Sequence, residues 1–526
     1  MERFLAHRVG LVVAAGGGVV VGGGAGRERR RGDRRGAASH GFGGSGADGE
    51  AVVVRARRSA GVDTVWAGVV VPGFFRTLVM SAPGQCCPSP WLESQPLPQE
   101  VWAQVREEAV FGCHKWDPRV GDTDVILMQP LVLPRDEWGF LAEAAEGLAT
   151  ELLAAEEALW RAPVRVRDRA LGELGLPGSV VRVLRRACAD GAGPGAATAF
   201  RVMRFDFHHT REGWRISEVN SDVPGGFVEA SGVAALIATH AGARAGVPAG
   251  DPAKAIAEAF ACRLAPGACV GLVHATAYTD DRQVMRCLAG RLSEAGLASL
   301  LVSPADMRFG GSGRLDAFGG GECEAYDGRG WRRLDAMFRF FPGEWLPNLG
   351  WRSAWRRFFT DGCPSANPAW ALVSQSKRFP LLWPRLGVEA PLWARFLPET
   401  FDPRDGVAVA GSALDAPQWV VKPALGRVGD AVLLAGVTPE AERRKHLRDA
   451  RRHPRHWVAQ RRFEPTPWEA GTAVGVLYPC VGVYVIDGRV AGAYGRASSR
   501  PLIEAHAHDV AVLVAPGFQS KNVSEI

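Results

Sequence analysis

Residues 201–232, RVMRFDFHHTREGWRISEVNSDVPGGFVEASG, leave this chain little conformational choice. From 202 to 208 apolar and polar residues alternate strictly. That puts Met203, Phe205 and Phe207 on one face of a strand and Arg204, Asp206 and His208 on the other. A polar turn at 210–213 leads into a second strand, 214–220, on which Glu218 and Asn220 share a face. With the turn centred near Arg211 and Glu212, antiparallel pairing brings Asp206 within about one residue of Glu218, where opposed Cβ atoms stand about 5 Å apart. Two carboxylates that close repel unless they are protonated, paired or bridged by a cation. Arg204 supplies part of the compensation. A hard divalent ion taking oxygen from Asp206, Glu218 and Asn220 supplies more, and such a set suits Mg²⁺ beside nucleotide phosphates. An arginine-paired, solvated face is the alternative. The apolar opposite face and the Gly/Pro loop at 224–226 favour the site.

Lysine usage points the same way. Lysine is ordinarily common, yet among 526 residues it occurs only at 115, 254, 377, 422, 445 and 521. Where arginine is otherwise preferred, a retained lysine marks a need for a compact ammonium. Lys422 lies in an apolar strand just before Gly426, Arg427 and Gly429, a flexible loop whose N–H groups can approach phosphate oxygens. Lys377 follows the apolar stretch 370–373; a surface lysine is the other reading of it.

The rest of the body reads as mixed helix and strand. Helical spacing predicts an amphipathic helix over 136–160 and another from 179, before a Gly/Pro-rich break at 191–195. Strand, helix and strand at 269–275, 281–295 and 297–302 form a βαβ pattern. Runs at 419–424, 431–434, 457–460 and 481–494 suggest one antiparallel sheet, with Asp487 and Gly488 as a type I′ hairpin turn.

The net charge is +6, and all of it resides in residues 1–79, which hold 12 Arg, no Lys and 6 acids. The remainder is balanced, so a basic body for nucleic acid is excluded. Three readings stand for that glycine-rich leader. It is a disordered extension, with Met80 as the true start, or a targeting segment, or an arginine-rich nucleic-acid arm. Eight glycines among residues 9–26 make it too weakly apolar to span a membrane. Ten scattered cysteines without a CxxC pair suggest a reducing cytoplasm.

Taken in order, RFDF (204–207), EVN (218–220), FPGEW (341–345), SQSKRFPLLW (374–383), VVKPALGRVGD (420–430), VAQRRFEP (458–465) and GAYGRAS (492–498) carry a resemblance. Over residues 113–514 the chain resembles the synthetase domain of glutathionylspermidine synthases, which are ATP-grasp carboxylate–amine ligases. The resemblance implies an α/β (α+β) ATP-grasp fold with a Rossmann-like pre-ATP-grasp region and an N-terminal helical segment. The expected divisions are 1–79, 80–200, 201–350 and 351–526. It implies that Asp206, Glu218 and Asn220 hold Mg²⁺, and that Lys377, Lys422 and the loop of Gly426, Arg427 and Gly429 bind ATP. Gln460 would meet the adenine, and Arg204 and Arg496 would stabilise the transferring phosphoryl group. Asp280, Asp281 and Asp509 would face a polyamine, helix capping being the alternative for the first two. A peptide or small-molecule carboxylate would be phosphorylated and then captured by an amine; a non-catalytic ATP-binding relative is the other possibility. Where the family's glutathione binders carry hydroxyl residues this chain has Val223 and Gly225, which removes hydrogen bonds to that peptide. The amidase domain of some relatives is not expected, since residues 1–79 contain no Cys and only His7 and His40.

Overall fold

The computed structural model describes residues 89–120, 123–189, 199–242, 244–310, 323–350, 353–360, 363–405, 414–426, 431–471 and 475–516. The leader lies outside them, as do two expected loop residues, Arg427 and Gly429. The chain divides into the units Met1–Pro83 and Gly84–Ile526, and everything below concerns the second.

Helices come first: α1 (Gln99–Phe111), α2 (Arg135–Arg161), α3 (Val164–Glu173) and α4 (Gly178–Ala189). Pro98, Pro134 and Pro163 stand just before the first three, where a fixed φ and a missing N–H cost nothing. Leu141, Leu148, Leu152 and Leu159 form the buried stripe of α2, as their spacing requires. The predicted hairpin follows as β1 (Val202–Thr210) and β2 (Gly213–Asn220). Its register sets Asp206 opposite Glu218 and Arg204 opposite Asn220, with a bulge just after Asp206. Helices α5 (Ala234–Ala241) and α6 (Pro252–Ala261) lead to the βαβ unit β3 (Cys269–His274), α7 (Thr279–Glu294) and β4 (Ala298–Val302). Strand β5 (Ala336–Phe340) runs parallel on the other side of β3, so this Rossmann-like sheet is parallel throughout.

Strands β6 (Trp419–Pro423) and β7 (Trp457–Arg461), with α8 (Glu440–Arg452) between them, belong to a small antiparallel sheet with Thr400–Phe401 and Leu433–Leu434 at its edges. Then come β8 (Val476–Ile486), β9 (Arg489–Ser498) and β10 (His508–Val510). Asp487 and Gly488 take φ of 52° and 77°, the pair of positive values a type I′ turn demands.

Here the structure departs from the expected single antiparallel sheet. The β8–β9 hairpin leaves the β6–β7 strands and joins the early hairpin, giving the order β10–β9–β8–β1–β2. The cause is packing. Met203, Phe205 and Phe207 merge with Val481, Val483 and Val485 into one buried face that seats on α2. Trp419, Val421, Trp457 and Ala459 close a separate small core with Leu433 and Leu447. Beneath the β1–β2 hairpin, Arg339 and Asp222 form an ion pair with no exposed surface on either side chain. Asp222 also accepts from the Gly343 N–H at 3.0 Å, and so ties the end of β2 to the segment after β5.

Candidate active site

One cavity, about 410 Å³, collects most of the chemistry-bearing residues. The polar face of the sheet that holds the β1–β2 and β8–β9 hairpins is its floor: Arg204, Asp206, Glu218, Asn220, Cys480, Gly482, Tyr494 and Arg496 all line it. The small sheet supplies the opposite wall through Lys422 and Gln460, with Lys377 and Gly426 beside them. Val223, Gly225, Phe340, Pro342, Trp345 and Asp281 close the remaining side.

Arg204 grips Asp206 in a fork, Nε to Oδ1 at 2.7 Å and Nη2 to Oδ2 at 2.9 Å. Its third nitrogen donates to the Gly225 carbonyl at 2.7 Å. Asn220 Nδ2 donates to Asp206 Oδ2 at 3.0 Å. Gly482 makes the fork possible, because a Cβ there would stand 2.8 Å from Arg204 Cδ and 2.9 Å from Asp206 Oδ1. Gly226 (φ +96°) likewise lies where any side chain would strike the Tyr494 ring, the ring that packs over the Arg204 guanidinium.

Across the cavity, Lys377 Nζ lies 2.7 Å from Glu218 Oε2 and donates to the Gly426 carbonyl at 2.8 Å. Lys422 Nζ donates to Gln460 Oε1 at 2.7 Å and to the Ser217 carbonyl at 3.2 Å. The Gln460 amide donates in turn to Thr400 Oγ1 at 3.0 Å. Arg496 donates to the Glu504 carbonyl at 2.8 Å, while its buried Nε has no hydrogen-bond partner among the described residues.

Burial would push the Glu218 carboxyl up, but Lys377, Lys422 and Arg204 outweigh it and hold the group below the ordinary carboxylate range. Burial drives Lys422 the other way, down to about 8, opposed by Glu218 and reinforced by Lys377. His208 falls to about 4 through burial and the nearby Lys422 charge, so it is a neutral wall residue near pH 7. Burial raises Cys480, which keeps this thiol protonated and poorly nucleophilic.

Ten of the expected site residues therefore line one cavity: Arg204, Asp206, Glu218, Asn220, Asp281, Lys377, Lys422, Gly426, Gln460 and Arg496. Asp280 and Asp509 do not line it. Asp280 is exposed in the first turn of α7 beside Asp117, and neither it nor Asp281 is the N-cap, a position held by Tyr278. Asp509 is buried, paired to Lys115 and hydrogen-bonded by Tyr494. Reading the sequence alone missed Gly482, Tyr494 and Lys115. A glycine in the middle of an apolar strand was the available signal for the first. Lys115 stood among the six lysines, without a pattern around it to single it out.

The family profile described as glutathionylspermidine synthase preATP-grasp matches residues 140–515. The chain belongs to this family. The glutathionylspermidine synthase match covers the hairpin floor, the parallel sheet and the small sheet alike, and the fold is that of an ATP-grasp-type ligase. Among solved structures, a glutathione synthetase-like effector from Globodera pallida in apo form superposes at a TM-score of 0.52 with 13% identity, covering 82% of this chain and 100% of its own. A putative gamma-glutamylcysteine synthetase from Methylobacillus flagellatus KT shows 13% identity over 67% of this chain and 87% of its own, at a TM-score of 0.36 that carries no weight. No curated protein sequence matches the chain. Among the described residues no helix is long and apolar enough to cross a membrane, and all eight described cysteines are free thiols.

Proposed function

We propose that this glutathionylspermidine synthase relative is an ATP- and Mg²⁺-dependent ligase that joins the carboxylate of a small molecule or peptide to an amine. The observation that carries the reading is the charge inventory of the cavity. Five cations, Arg204, Lys377, Lys422, Arg461 and Arg496, line it together with three carboxylates, Asp206, Glu218 and Asp281. Phosphoryl transfer depends mainly on placed charge and needs no side-chain nucleophile. The one thiol in the wall, Cys480, is held protonated, in keeping with that chemistry.

The donor set fits the implied metal. Among the described residues no group of three or more His, Cys, Asp and Glu is placed to hold a metal. Two carboxylates and an amide oxygen are instead the hard-oxygen ligands Mg²⁺ takes while keeping waters and substrate phosphates. Asp206, Glu218 and Asn220 would hold it, and when bound it would neutralise charge on the phosphate oxygens. Arg204 orients Asp206 by its two-pronged grip. Lys377 and Lys422 bind phosphate oxygens as point charges, Lys422 being aimed by Gln460, whose amide is itself fixed by Thr400. Arg496, whose buried Nε has no hydrogen-bond partner among the described residues, would stabilise an acyl phosphate. In the reaction a substrate carboxylate oxygen attacks the γ-phosphorus and ADP leaves. The amine nitrogen then attacks the acyl carbon, phosphate leaves, and the nitrogen gives up its proton.

Purified protein supplied with ATP, Mg²⁺ and a matrix of carboxylates and amines is expected to release ADP and phosphate only when both partners are present, with the amide seen by mass spectrometry. Lys422→Ala should abolish ADP release; unchanged turnover in that variant refutes the assignment. ATP binding without turnover across the whole matrix would point instead to a binding-only protein.

A further inference from the structure

The cavity wall away from Lys422 and Gln460 stands at the carboxyl edge of the parallel sheet. Strand β3 ends at His274 and β5 at Phe340, directly opposite it in register. From β3 the chain passes through α7 to β4 on one side, whereas β5 is followed by Ser365–Ala366 on the other. The strand order therefore reverses between β3 and β5, and the crevice at such a switch point is where open α/β sheets take their ligands. Phe340, Pro342 and Trp345, from the end of β5, and Asp281, from the first turn of α7, line the cavity there. Val223 and Gly225 complete the wall, and a Cβ on Gly225 would stand 3.8 Å from the Phe340 ring. The polar groups of the 221–225 loop are turned inward. The Ser221 and Asp222 N–H groups donate to Gln375 Oε1 at 2.9 and 3.0 Å, and the Ser221 and Ser374 hydroxyls lie 2.9 Å apart. The Asp222 carboxylate is held by Arg339 and the Gly343 N–H, and the Gly225 carbonyl by Arg204 and the Tyr484 hydroxyl. Trp345 meets the Phe341 ring edge-on at 6.2 Å and is still 43% exposed, a large apolar side chain left to water on the wall of a cavity.

We propose that Val223, Phe340, Pro342 and Trp345 form the specificity pocket for the acid, so that the carboxylate substrate is a monocarboxylic acid with an aromatic or branched apolar substituent. This rests on the ligase reading. There the lysines hold the ATP phosphates, and the attacking oxygen must approach the γ-phosphorus from the side opposite the departing ADP. That side is the β3–β5 wall, so whatever the carboxyl group carries lies against it. An apolar substituent covers Trp345 and Phe340 and gains by leaving water. A polar substituent loses its hydration to a loop whose own polar groups are already paired, and binds less well for it. Asp281, the one ionisable group among these wall residues, repels a second carboxylate.

Ligand-observed NMR titration of the full chain tests it, with 3-phenylpropanoate, succinate and glutathione as probes. Wild type is expected to bind 3-phenylpropanoate at least about tenfold more tightly than either polar acid. Trp345→Ala, a change at an exposed side chain, should weaken 3-phenylpropanoate by about tenfold, and Val223→Ser should narrow the gap to the polar acids several-fold. Succinate or glutathione binding wild type as tightly as 3-phenylpropanoate overturns the proposal, and so does an absence of 3-phenylpropanoate binding; both arms hold even if a variant fails to fold. Unchanged 3-phenylpropanoate binding in folded Trp345→Ala and Val223→Ser overturns it as well, since the acid then lies elsewhere. ATP titrated into the same wild-type preparation tests the ligase reading separately: absence of nucleotide binding refutes that reading, whereas the preference among acids is measured without nucleotide.

Discussion

Lys422 offers the sharpest physical test of the cavity. The residue is 8% exposed, and burial lowers its ammonium from an ordinary value of 10.5 to about 8. Below pH 8 both the folded and the unfolded chain carry the proton, and the folded state bears the full cost of the buried charge. Between pH 8 and 10.5 the folded lysine is neutral while the unfolded one still holds its proton. The unfolded state then binds more protons, so stability rises with pH across that window. At 1.36 kcal/mol per pKa unit, the gain totals about 3 kcal/mol. The assay is urea unfolding of wild type and Lys422→Met at intervals from pH 7 to 11. Groups common to both proteins cancel in the difference, which isolates the one lysine. Wild type should gain on the variant by about 1.4 kcal/mol per pH unit above pH 8 and level off near 10.5. A flat difference curve would show that Lys422 titrates normally, and would refute the argument that the fold desolvates it.

Four further outcomes follow from the same geometry. Because the protonated form of Lys422 is the one that attracts phosphate, ATP affinity should fall as pH rises through about 8, with proton uptake on binding at that pH. Calorimetry in two buffers of different ionisation heat measures this, and proton release would contradict it. Gly482→Ala places a Cβ 2.8 Å from Arg204 Cδ, so it should cost about 1–3 kcal/mol in urea unfolding and lower ADP release with it; a neutral effect on both would mean the Arg204–Asp206 fork has room to spare. Asp222→Asn strands the fully buried Arg339 charge and should destabilise by about 3–5 kcal/mol, a value read from the urea midpoint and refuted by a loss under about 1 kcal/mol. Glu218→Gln removes a carboxylate from the expected metal set, so the Mg²⁺ concentration for half-maximal ADP release should rise several-fold; an unchanged Mg²⁺ dependence would remove Glu218 from that set.

The positions of these residues were legible in the sequence to different depths. The β1–β2 hairpin emerged with its register because a period of two decides which side chains share a face, and a polar turn decides which residues oppose. Asp206 and Glu218 needed nothing more to be set opposite one another. The same local logic located the Asp487–Gly488 turn and the βαβ unit of β3, α7 and β4. Lysine scarcity marked Lys377 and Lys422, though spacing alone did not say that Lys377 reaches Glu218.

Partner choice is a different kind of information. Each of β1, β6 and β8 has a buried apolar face, and alternation within a strand does not tell which neighbour will cover it. That β8 joins β1, and not β6, follows from the summed burial of Met203, Phe205, Phe207, Val481, Val483 and Val485 against α2, a quantity spread over distant segments. Gly482 became necessary only when that pairing put it over the Arg204–Asp206 fork. Lys115 acquired its ion-pair partners only when the fold brought Glu229 and Asp509 to it from far along the chain. The amino-acid sequence by itself determined the local strands, their faces and the chemistry they display, because those depend on neighbours a few residues away. Tertiary structure alone decided which faces meet and which charges are already spoken for, because burial and Coulomb pairing act through space and are indifferent to sequence distance.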